Sequence, residues 1–147
     1  MVSYALALGI AFVIGVPDNT DEVLKKERAH MAGTWKIIAS ELDGNRPHTK
    51  DELANLLLTI DAKGKMTLQR AGDTIAEHAS EIDPTKTPKT MDQTFAIGDG
   101  RRRTSLAIYE LKGDTLKCCF APPGGARPTE FSSKGNSLVV YQRTKGK

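Results

Sequence analysis

The chain has 147 residues, with 39% apolar and 27% charged side chains, a size that suits one domain with a real core and is too short for two. Its 21 Lys and Arg against 18 Asp and Glu give a net charge of +3 with both signs scattered, so it lacks the basic, aromatic-interleaved face that a nucleic-acid partner requires. Disordered, collagenous and coiled-coil classes are excluded as well.

The apolar residues are unevenly spread. Met1 to Val16 carries no charged side chain, and Asp18 opens a polar stretch directly after Pro17. A run of about 16 residues falls short of the roughly 20 needed to cross a bilayer as a helix, but it suits the apolar region of an export signal. Residues 1–17 are therefore expected to be a signal peptide or N-terminal anchor, which places the protein in the periplasm, in the envelope or outside the cell. No Lys or Arg precedes the run and no Ala-x-Ala site follows it, so a buried N-terminal strand or helix stays open as an alternative. Membrane contact is expected only through this segment, if it is not cleaved.

Residues 18–147 form the domain proper. The stretch NTDEVLKKERAHMA at 19–32 predicts a short amphipathic helix, with Asn19 as cap, Glu22 three residues on, and Val23, Leu24 and Met31 facing inward. After Gly33 the pattern becomes that of strands: Trp35, Ile37 and Ala39 alternate with Lys36, Ile38 and Ser40, and Asp43-Gly44-Asn45 supplies a turn. Lys50 to Leu57 has room for one helical turn. Leu56 to Asp61 and Lys65 to Arg70 read as a hairpin with its corner at Ala62-Lys63-Gly64. Further strands are expected at Thr74 to Ile82, Thr90 to Ile97, Thr104 to Leu111, Thr115 to Ala121, Thr129 to Ser132 and Leu138 to Arg143, separated by Gly, Pro, Asp and Asn turns. Short strands at this spacing, with no helices between them, predict an all-β, antiparallel barrel or sandwich. With about eight strands, closure removes the sheet edges, and such a barrel is either filled by side chains or holds one small ligand.

Gly33-Thr34-Trp35 after a short helix, together with Arg143 at the end of the last strand, resembles the Gly-x-Trp and C-terminal Arg pairing of lipocalins and their calycin relatives. The resemblance implies a lipocalin-like barrel in which the guanidinium of Arg143 lies over the Trp35 indole and closes one end, a contact worth about 0.5–2 kcal/mol. More specifically, GTWKIIASELDG at 33–44, IDPTKTPKTMD at 82–92, IYELKGDTLKCCFAPPGGARPTEF at 108–131 and LVVYQR at 138–143 resemble a family of small lipocalin-like domains recurrent in planctomycete bacteria. That likeness runs from about Ala29 to Arg143. It implies fold and export and no particular activity. The chain departs from the pattern at Ala107, where a Gly commonly stands, at Cys118-Cys119 and at Arg101-Arg102-Arg103.

Candidate chemistry is sparse. Cys118 and Cys119 are adjacent on a strand, so one faces the barrel interior and the other outward, and strand geometry opposes a disulfide between them. His30, His48 and His78 lie on separate elements without metal-ligand spacing, so no metal and no cofactor is expected. No Gly-x-Ser-x-Gly elbow and no Cys–His signature is present, and the chain is not read as an enzyme. Arg101 to Arg103 forms either a soluble turn that blocks edge pairing or a docking point for an acidic surface. Arg127 either bonds a carboxylate such as Glu130 to fix its loop, or orients an anionic ligand head. The PTKTP stretch at 84–88 is expected to be an extended corner.

Two functions follow. Trp35, Ile37, Leu58, Leu68, Tyr109, Leu116 and Phe120 are expected to line the interior. Trp35, Tyr109, Phe120 and Arg127 are the candidate contacts for a small hydrophobic or amphipathic ligand, and Gly33, Trp35 and Arg143 are the closure. The alternative is a filled barrel that serves as an interaction or structural module at the envelope, since only eight aromatic residues are available in the whole chain.

Overall fold

Eight antiparallel strands close into a barrel in a computed structural model that describes residues 19–145; the expected export segment, 1–17, lies outside the described residues. In chain order the elements are α1 (Asn19–Met31), β1 (Gly33–Leu42), α2 (Lys50–Ala54), β2 (Leu56–Ile60), β3 (Lys65–Arg70), β4 (Asp73–Asp83), β5 (Lys89–Ala96), β6 (Arg102–Lys112), β7 (Thr115–Phe120) and β8 (Ser137–Arg143). Each strand pairs with the next, and β8 returns to β1, so every strand has two neighbours and no edge is left to aggregate. The strand pattern predicts an all-β antiparallel barrel or sandwich and the structure is the barrel, with the short N-terminal helix and the lipocalin-like form that the resemblance implies.

Local chemistry sets the corners. Asp61 Oδ1 accepts from the backbone N–H groups of Lys65 at 2.9 Å and Lys63 at 2.8 Å, which fixes the β2–β3 turn and holds the carboxyl below its usual range. Thr49 and Glu52 form a reciprocal capping box at the start of α2. Gly64, at φ +93°, leaves room for Arg28: a Cβ there would stand 2.0 Å from the guanidinium.

Alternation then fills the interior. Trp35, Leu58, Met66, Met91, Ala107, Tyr109, Leu116 and Cys118 form one buried cluster with Met31 of α1. Two bulges shift the phase. Ile37 pairs with Tyr141 and Ala39 with Val140, which leaves Ile38 unpaired and 50% exposed; Leu68 pairs with Ala76 and Gln69 with Thr74, which leaves Ile75 unpaired and 45% exposed. Beyond the first bulge, Ser40 and Leu42 take the inward phase instead of Ala39, because they pair with the inward Val139 and Ser137.

Two expectations are corrected and a third is extended. Val23 is exposed, because α1 lies across the barrel end on Leu24 and Met31 and turns Val23 to solvent. Thr129 to Ser132 is not a strand: β7 pairs directly with β8, so the sheet has no position for a ninth, and these residues belong to a long connection. Cys119 faces outward as alternation requires, yet it is fully buried beneath that connection, with its Sγ donating to Ser132 O at 3.2 Å.

Candidate functional site

The two barrel ends differ. At the end where β1 begins, α1 seals the opening. Trp35 Nε1 donates to Met31 O at 2.9 Å, and the Arg143 guanidinium lies 4.3 Å from the indole ring. Arg143 also donates to Ala32 O at 2.7 Å and to His30 O, and pairs with Asp114 at 3.2 Å. Gly33, at φ +137°, is what admits it, since a Cβ there would meet the guanidinium at 2.6 Å. Arg28 donates to Ser80 O at 2.9 Å. On the other side Glu27 accepts from Tyr109 Oη at 3.0 Å and from Lys89 Nζ at 2.8 Å. Burial and the neighbouring Glu27 carboxylate push the Tyr109 phenol far up, so it stays protonated as a donor. Trp35 and Tyr109 are thus committed to this closure.

The opposite end is open. A cavity of about 370 Å³ enters it between the β1–β2, β3–β4, β5–β6 and β7–β8 connections, a size in the range of small-molecule sites. Its apolar wall comes from Ile37, Leu58, Leu68, Phe120 and Val139, and Pro122 and Pro123 form part of the rim. Polar side chains enter from β4, β5 and β6: His78, Gln93 and Ser105, with Tyr141 from β8. Gln93 is opposite Ser105 in register, and its Nε2 reaches Met66 Sδ at 3.4 Å. His78 packs against Phe95 with ring centroids 5.5 Å apart, and burial holds its pKa below the usual imidazole value. Burial likewise pushes the Tyr141 phenol up.

Of the residues picked out as ligand contacts, the structure brings only Phe120 to this cavity; Trp35 and Tyr109 lie below it, in the sealed half. His78, Gln93, Ser105, Val139 and Tyr141 were missed. Polar residues on strands read as a solvated face, but the phase was there: His78 shares the parity of Ser80 and Ile82, and Ser105 that of Ala107 and Tyr109.

Arg127 belongs to the connection between β7 and β8, residues 121–136, which straps the outer face of β5, β6 and β7. Its Nη2 pairs with Asp92 at 2.6 Å and its Nη1 donates to Ala107 O at 2.8 Å and Met91 O at 3.3 Å, so its carboxylate partner is Asp92, not Glu130. The strap is fixed again where Gly135 N donates to Asp43 at 2.9 Å, and Lys117 lies 4.6 Å over the Phe131 ring. At the open end Arg101 pairs with Asp99, whereas Arg102 and Arg103 are exposed and form no ion pair among the described residues.

His30 caps a contact of α1 at 3.2 Å from Gly113 O, and His48 is exposed in the β1–α2 connection, so the three histidines stay apart. Among the described residues no helix is long and apolar enough to cross a membrane. No protein-family model matches the chain, and no curated protein matches it either.

Proposed function

We propose that the protein is an exported, lipocalin-like binding protein that takes a small apolar or amphipathic ligand through the open end of its barrel, and that it belongs with the planctomycete domains its motifs resemble. The observation that supports this reading is the cavity of about 370 Å³, lined by apolar side chains together with a few hydroxyl, amide and imidazole groups. Specific ligand sites have this make-up: apolar area supplies affinity and a few fixed polar groups supply orientation. The sealed end contributes rigidity, since a site held by a packed base loses less ordering entropy on binding.

Native mass spectrometry of the protein isolated from its own host tests the reading. A stoichiometric small molecule that survives purification and leaves on denaturation supports it. A bare polypeptide mass from gently prepared material contradicts it. The N-terminus of the same material reports on export, since cleavage near Val16 or Pro17 is expected.

A second reading, an envelope interaction module, is favoured by the exposed and unpaired Arg102 and Arg103 at the rim. Under it, charge reversal at Arg101 to Arg103 abolishes envelope association while thermal stability changes by no more than about 0.5 kcal/mol.

A further inference from the structure

The polarity of the cavity narrows the ligand class, an inference that rests on the binding reading above. No Lys, Arg, Asp or Glu lines the cavity. Three hydroxyl side chains line it, Ser105, Tyr141 and the half-buried Ser137 at the rim; Ser105 and Tyr141 are more than nine-tenths buried, at 7% and 8% exposure, and neither hydroxyl makes a hydrogen bond among the described residues. No fully buried polar side-chain atom among those residues lacks a partner, so both unpaired hydroxyls keep some accessible surface, on residues that line the cavity. Gln93 adds an amide beside Ser105.

Hydroxyls and an amide can each donate or accept, and they match an uncharged oxygen function well. An ion placed among them would give up its hydration without meeting a counter-charge, which is strongly unfavourable. The imidazole of His78 offers no such charge, because burial keeps it neutral at ordinary pH. Arg70, Arg102 and Arg103, which form no ion pair among the described residues, stand outside the lining.

We infer that the barrel selects uncharged amphiphiles, in which an apolar body fills the cavity and a hydroxyl or carbonyl group pairs with Ser105 or Tyr141. The test uses the neutral fluorophore N-phenyl-1-naphthylamine as reporter and three displacers of equal chain length: 1-decanol, decanoate and decyltrimethylammonium, at about pH 8 so that the acid is ionised. The alcohol is expected to displace the reporter at least about tenfold more effectively than either ion. The double variant Ser105→Ala/Tyr141→Phe is expected to weaken the alcohol roughly fivefold more than it weakens the reporter.

Decanoate that competes as well as the alcohol, held by its head at Arg103, would overturn the inference and leave cavity binding standing. So would failure of all three to displace the reporter. An equal loss of alcohol and reporter in the double variant would also overturn it, because the hydroxyls would then be structural. A wild-type protein that does not bind the reporter at all would remove the binding reading itself.

Discussion

Trp35 shows how much one side chain can hold in a chain with few aromatics. It is fully buried, its N–H is satisfied by Met31 O, and its face is covered by Arg143, so truncation leaves both a cavity and two stranded polar partners. Trp35→Ala is expected to cost about 3–5 kcal/mol in urea unfolding, and a loss under about 1 kcal/mol would mean that the sealed end is not what holds the barrel. His78 carries a different signature. Its pKa is lowered in the fold by burial, so the unfolded chain binds the proton more readily. The stability at stake is therefore intact above the ordinary imidazole value near 6.5 and declines as pH falls below it toward the folded value. Urea midpoints at about pH 7.5 and 5 should diverge more for wild type than for His78→Gln, and parallel shifts would contradict the placement of the ring in the cavity wall.

At the scale of elements the strap at 121–136 has the most direct readout. It covers Cys119, while Cys118 points into the core, and burial raises both thiols. Native protein should resist a thiol reagent at both positions. Arg127→Ala removes the bonds to Asp92, Ala107 and Met91, so Cys119 labelling should rise by roughly tenfold to a hundredfold while Cys118 stays protected. Equal labelling of the two would show global opening instead. The strands themselves were legible, because period-two alternation between Gly and Asp turns leaves little choice of element. The bulges were not: Ile38 and Ile75 are β-branched, fit a strand pattern, and become unpaired only through the register of their neighbours. Thr129 to Ser132 carries strand-forming residues for the same reason and is excluded by the direct β7–β8 pairing, which no local signal announces. The closure of Gly33, Trp35 and Arg143 was readable from the resemblance, whereas the cavity wall required the inward phase of four strands to be known together.

The whole molecule divides along the barrel axis. Below, α1, Trp35, Met31, Met91 and Tyr109 pack the interior solid; above, the cavity opens among the longer connections. Ligand binding in that half should raise the melting temperature, by about 2.7 kcal/mol of stabilisation at a hundredfold excess over Kd, without changing the fold. The central claim is that the open half is a binding site, and a fluorescence titration with N-phenyl-1-naphthylamine tests it most directly when wild type is compared with Val139→Trp, a variant that fills the cavity from β8. The account predicts saturable one-to-one binding to wild type and loss of that binding in a variant that still melts cooperatively. Equal binding by both proteins, or none by wild type, would contradict it.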